Sequence, residues 1–159
     1  MAKVRELGSD SFPRSVIPWP LSSTMAPLGA LPTAPACARA HVRTTLAGWH
    51  MAMFAESAEL VASELVTNAV RASTDERGHP LYHDGRMAVI HVRLIADRDR
   101  GRLVLEVWDM SSSPPAIQHA AAEAEQGRGL ELVAALAHRW DWRTGPGWPG
   151  KCVWAELRR

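Results

Sequence analysis

The chain is short of several residue types, and each shortage removes a class of protein. Its 159 residues include two cysteines, one tyrosine and two phenylalanines. Cys37 and Cys152 stand far apart with no Cys-x-x-Cys spacing. That argues against a disulfide framework or a redox pair and favours a reducing cytoplasm. Formal net charge is only +1, so no whole-protein field exists to draw nucleic acid or an anionic membrane. No run of about twenty apolar residues is present, and no membrane-spanning helix is expected. Lys3 and Arg5 are not followed by a continuous apolar segment, which does not read as a signal peptide. No Gly-x-Ser-x-Gly elbow marks a serine hydrolase. No Gly-Lys-Ser/Thr marks a P-loop. His79 and His83 share one loop, but two ligands are too few for structural zinc.

What remains is 47% hydrophobic and 22% charged, the composition of one globular domain of ordinary size. Six of the eleven prolines fall in residues 1–35. That segment reads as a Pro-rich arm, partly disordered or carrying one short strand in "RSVIPWPL". The domain proper is expected over 36–159. Residues 36–50 and 54–73 repeat apolar residues every three or four positions, as two amphipathic helices do. "DERGHPLYHDG" reads as a loop. The period then changes to two. "MAVIHVRLIA" and "LVLEVWD" read as strands, the first half-buried. "SSSPP" breaks the pattern, because proline neither donates to a ladder nor continues a helix. "AIQHAAAEAEQ", 116–126, suits either a helix or a mobile segment. "GRGLELVAALAH" is a third helix, and "RWDWR" and "KCVWAEL" are closing strands. Short turns between strands favour antiparallel pairing. The expected fold is therefore an α+β two-layer α/β sandwich, a mostly antiparallel mixed sheet with helices on one face.

Three places carry chemistry. In "SELVTNAV", Glu64 and Asn68 are one helical turn apart and border the apolar stripe at about 100° per residue. The pair reads either as a tolerated polar shoulder or as a site. An Asn amide oxygen is a hard ligand suited to Mg²⁺. A carboxylate one turn earlier can serve as general base toward a hydroxyl. Asp109 shares strand parity with Leu103, Leu105 and Val107, so it points into the same layer as the core. It reads either as a turn cap or as a buried acceptor for an exocyclic amine such as that of adenine. "GRGLELV" places two glycines before a helix, where exposed N–H groups favour an anion. Arg128 can add a charge there. The alternative is a plain turn. "HRWDWR" interleaves Arg and Trp, which fits a packed sheet face better than a single-strand nucleic-acid platform at this net charge.

Taken in this order, the motifs resemble the ATP-binding fold of gyrase, histidine kinases and related ATPases. Within it they most resemble the small anti-sigma-factor serine/threonine kinases and their actinobacterial relatives. "SELVTNAV" resembles the family's N box, and "VWDMSSSPP" its first glycine box. "GRGLELVAALAHRWDWR…GKCVWAEL" resembles the second box and closing strands. The likeness runs from about residue 36 to the C-terminus. It implies Glu64 as catalytic base and Asn68 as the Mg²⁺ ligand. It implies Asp109 at the adenine amine, with Ser111, Pro114 and Cys152 also contacting nucleotide. Gly127, Arg128, Gly129 and Leu130 would form the phosphate-binding turn, and 116–126 the lid over ATP. Implied partners are an anti-sigma-factor antagonist, phosphorylated on Ser or Thr, a sigma factor, and a second copy of the chain in a homodimer. Nucleic acid and membrane are not implied. Ala72, Ser111 and Cys152 depart from residues common at those positions (His, Gly and Thr). The rival expectation is a nucleotide-binding interaction module that switches partners without useful catalysis.

Overall fold

A computed structural model describes residues 13, 15–115, 129–145 and 147–159. Helix α1, Ala34–Gly48, buries Ala34, Ala38, Val42 and Leu46, one residue per turn. Pro35 sits in its first turn, where a missing N–H costs nothing. Helix α2, Ala55–Ala72, follows a short 3₁₀ turn at Ala52–Phe54 and buries Ala58, Val61, Ala62, Leu65, Val66 and Ala69. Three or four residues separate each of these from the next on its stripe, so they form the single face that a helix can bury. Alanines along both stripes let α1 lie close on α2, since interhelical distance follows the size of the side chains between.

The strands are β1, Leu21–Thr24; β2, Leu28–Gly29; β3, Tyr82–His83; β4, Arg86–Met87; β5, Val89–Asp97; β6, Arg102–Asp109; β7, Arg139–Thr144; and β8, Lys151–Arg158. The third described helix, α3, covers Gly129–Leu136. The main sheet runs β1-β5-β6-β8-β7, with β2 extending the pairing on β5. Every described pairing is antiparallel. The helices cover one face, and α2 meets β5, β6 and β8. Ile90, Val92, Leu94, Leu103, Leu105, Val107, Val153 and Ala155 fill that interface. This is the two-layer α+β sandwich expected.

Three details differ from expectation. The early strand falls at Leu21–Thr24, not within 14–21, because Pro18 and Pro20 cannot donate to a ladder. Both β1 and β2 pair with β5, so part of the Pro-rich stretch belongs to the sheet. The loop at 75–85 supplies one strand and the turn of a hairpin, β3–β4, turning at Asp84 and Gly85 with φ of 50° and 76°. Two left-handed residues make the primed turn that suits strand twist. The segment 116–126 lies outside the described residues.

Strand β5 was expected to be half-buried, yet Val92 to Asp97 are buried without interruption. The face away from the helices is covered by its own side chains. Glu106 accepts from Arg93 Nε at 2.8 Å and from Arg143 Nη2 at 2.6 Å. Glu156 accepts from Arg139 Nε at 2.6 Å, Arg158 Nε at 2.7 Å and Arg102 Nε at 3.0 Å. Arg143 lies over Trp108, Arg139 over Trp154 and Arg102 over Trp19, the stacking that guanidinium planes favour. Arg93 also donates to the Pro13 carbonyl, which ties the chain before β1 to this face. Burial pushes the Glu156 carboxyl up, but hydrogen bonds from Arg158, Arg139 and Arg102 outweigh it and hold it at about 2.

Candidate functional site

A pocket of about 450 Å³ opens between α2, the ends of β6 and β8, the loop 111–115 and the described start of α3. Leu65, Ala69, Val107, Leu130 and Val153 form an apolar wall, and Asn68, Arg71, Asp109 and Lys151 supply polarity. Strand pairing explains why the last two meet. Asp109 is opposite Lys151, and Val107 opposite Val153. Alternation puts all four on the helix-facing side. Asn68 reaches the same space from α2 because it lies three residues past Leu65 and one before Ala69 on the packed stripe.

Asp109 is held from several sides. Its Oδ1 accepts from the Ser111 N–H at 2.8 Å and from Lys151 Nζ at 3.0 Å, while Oδ2 lies 2.9 Å from the same Nζ. The third Lys151 contact, to the Ser111 carbonyl, is long at 3.4 Å. Asp109 thus caps its turn and also faces the pocket, so the two sequence readings are not exclusive. Both side chains are nearly inaccessible, at 2% for Asp109 and 4% for Lys151. Burial pushes the Asp109 carboxyl above its ordinary range, against the downward pull of Lys151 and the Ser111 N–H. The backbone is clamped too. Trp148 Nε1 donates to the Asp109 carbonyl at 2.8 Å. Gly150 passes so close that a Cβ there would run into the Asp109 carbonyl.

Glu64 is half-buried and is not among the residues lining the pocket. It is one residue removed: a Cβ on Gly129, which does line it, would collide with Glu64 Oε2. Gly129 therefore lets the start of α3 close over the Glu64 carboxylate. Among the described residues no three His, Cys, Asp or Glu side chains gather as a metal site. Asn68, with Glu64 one turn away, is a sparse oxygen donor set. It fits Mg²⁺, which keeps waters and shares phosphate oxygens rather than needing an all-protein cage.

The structure brings Asn68, Asp109, Ser111, Pro114, Gly129 and Leu130 around one pocket. Gly127 and Arg128 lie outside the described residues. Cys152 is corrected: it does not line the pocket. It sits between Lys151 and Val153 in β8 and so faces the opposite side of the sheet, paired across from Trp108. Burial pushes its thiol far up, which leaves it inert. Two lining cations, Arg71 and Lys151, were missed. Arg71 had a local signal, standing three residues after Asn68 on the same helix. Lys151 had none nearby, since it meets Asp109 only through the β6–β8 register.

Among the described residues no helix is long and apolar enough to cross a membrane. No curated protein matches the chain. The family model of the histidine kinase-like ATPase domain matches residues 29–157, from the end of β2 to the last residues of β8. That match spans well over half the chain and includes every element that walls the pocket. The protein belongs to the histidine kinase-like ATPase domain family, and so carries a domain for binding ATP.

Proposed function

We propose that the protein is an ATP-binding regulator that transfers the γ-phosphate to a Ser or Thr hydroxyl of an antagonist of anti-sigma-factor type. The supporting observation is the convergence of Asn68 from α2 and Asp109 from β6 on one pocket, with the Glu64 carboxylate against Gly129 at its edge. Asp109 would accept the amine of adenine, and the apolar wall of Leu65, Ala69, Val107 and Val153 would hold the base dry. Arg71 and the start of α3 would face the phosphates. The Asn68 amide oxygen would hold Mg²⁺, which supplies charge neutralisation at the phosphates when bound. Glu64 would take the proton of the attacking hydroxyl as its oxygen bonds to the γ-phosphorus and ADP leaves. A second copy of the chain and a sigma factor are the further partners this reading carries.

Purified protein with Mg²⁺ and labelled ATP should phosphorylate a cognate antagonist. Glu64→Ala should abolish transfer and leave ATP affinity within about twofold, because a base acts on the reacting hydrogen and not on the bound nucleotide. ATP binding without transfer to any antagonist would overturn the kinase reading. It would leave a nucleotide-dependent interaction module, a reading favoured by the position of Glu64 outside the pocket lining.

A further inference from the structure

Lys151 is the least expected member of the pocket. A lysine rarely goes under unless a partner or a ligand holds it. Here it is 3% exposed, paired with an equally buried Asp109, and it lines the cavity. Such a pair adds little net stability over two apolar side chains of the same size. Its value lies in what it presents to the pocket: a hydrogen-bond donor beside an acceptor, with their atoms about 3 Å apart.

The remaining capacity of each partner can be counted. A carboxylate has about four acceptor positions. Asp109 Oδ1 uses two, for the Ser111 N–H and Lys151, and Oδ2 lies 2.9 Å from the same Nζ. At least one position on Oδ2 is left. An ammonium has three donors. Nζ lies 3.0 Å from Oδ1 and 2.9 Å from Oδ2, two directions so close that one N–H serves the carboxylate, and a second reaches the Ser111 carbonyl at 3.4 Å, beyond the ordinary range for a good N–H···O bond. The loosely held N–H and the remaining one are those readily turned to a ligand.

We infer that Lys151 reads the base together with Asp109: Oδ2 accepts the 6-amino N–H of adenine, and Lys151 donates to ring N1. This rests on the nucleotide reading of the pocket and extends it to a second base-selecting residue. Adenine offers one amine donor beside one ring acceptor, which matches a free acceptor beside a free donor. Guanine in the same pose sets an oxygen against Asp109 and an N–H against Lys151. Turned over, it offers two donors, N1–H and the 2-amino group, and so sets a donor against Lys151.

The test is calorimetry with Mg²⁺ and three nucleotides: ATP, GTP, and 1-deaza-ATP, in which ring N1 is replaced by C–H. The wild-type protein should bind 1-deaza-ATP about ten- to a hundredfold more weakly than ATP, the range for a hydrogen bond from a charged donor. GTP should be weaker than ATP. Lys151→Met should bind ATP and 1-deaza-ATP alike, and Lys151→Arg should recover part of the difference. Equal wild-type affinity for ATP and its deaza analogue would overturn the role of Lys151 while leaving ATP binding intact. Tighter binding of GTP than ATP would overturn it as well. Failure of both adenine nucleotides to bind would overturn the nucleotide reading itself. The wild-type comparison needs no variant, so a misfolded Lys151→Met cannot rescue the idea.

Discussion

Replacing Gly150 with alanine should damage the end of the sheet where the site sits. A Cβ at this position would stand 2.7 Å from the Met110 carbonyl carbon and nearer still to the Asp109 carbonyl oxygen. Carbon contacts settle at about 3.5–4.0 Å, so the start of β8 must retreat from the end of β6 by about 1 Å. These neighbours are backbone atoms, and no side-chain rotation can make room. Retreat stretches the Trp148 bond to the Asp109 carbonyl, at 2.8 Å, and the Lys151–Asp109 pair, at 2.9 Å. Each buried bond spoiled costs about 1–3 kcal/mol, and overpacking adds a similar amount. A loss of about 2–4 kcal/mol is expected. For a chain of this length that lowers Tm by about 5–15 °C. Urea unfolding followed by tryptophan emission is the assay, with the midpoint falling at constant slope. Gly48→Ala is the control. It sits at the exposed end of α1, where a Cβ meets nothing within 4 Å, and it should stabilise by about 0.4–1 kcal/mol. A Gly150→Ala protein melting within about 1 °C of wild type would refute the claim that this strand end is clamped on Asp109.

Two further outcomes follow from the same geometry. At Gly129 the obstacle is the flexible end of Glu64, so Gly129→Ala should cost less than about 1 kcal/mol; on the proposed kinase reading, displacing the carboxylate should cut phosphotransfer by about tenfold or more and by more than any fall in ATP affinity, read by labelled-ATP transfer beside calorimetry. Glu156 is held at about 2, below its ordinary 4.5, so its contribution to stability is full above pH 4.5 and is lost as pH falls toward 2; Glu156→Gln should flatten the stability profile over that window in urea titrations, and an unchanged slope would refute it.

Much of this was legible in the sequence where the determinant is local. The stripes Ala38, Val42, Leu46 and Val61, Leu65, Ala69 are set by the helical period, and the residues alone predict both helices. The Asp84–Gly85 dipeptide is a strong hairpin signal, but its flanking strands are only two residues long, too short to show an alternating pattern. The parity of Asp109 with Val107 placed it in the pocket layer correctly. The same rule, applied to β8, excludes Cys152 from any surface that Val153 and Lys151 share. The resemblance suggested a contact that strand alternation does not permit here. Lys151 was illegible for a different reason. Its partner lies across the sheet, and only the observed β6–β8 register brings Asp109 opposite it. The burial of Arg93 beside Glu106 was hidden likewise, because a charged residue in an alternating strand reads as solvated until its partner strand is known.

The sheet sorts its buried carboxylates by face, and that sorting separates structure from chemistry. Glu106 and Glu156 point away from the helices and are enclosed by guanidiniums: Glu106 by Arg93 and Arg143, Glu156 by three arginines. Neither lines the pocket, and the guanidiniums around them stack on tryptophans, which fixes their directions. Asp109 has the opposite parity. It meets a single lysine, borders a cavity and keeps at least one acceptor position on Oδ2. A buried carboxylate left with spare capacity costs stability unless something fills it. On the outer faces of β6 and β8 arginines stacked on tryptophans enclose the carboxylates. Asp109 instead meets a lysine beside a cavity, where a group entering between Leu65 and Val153 can reach its remaining acceptor position, so this carboxylate, and not the two enclosed by arginines, is the one the pocket presents.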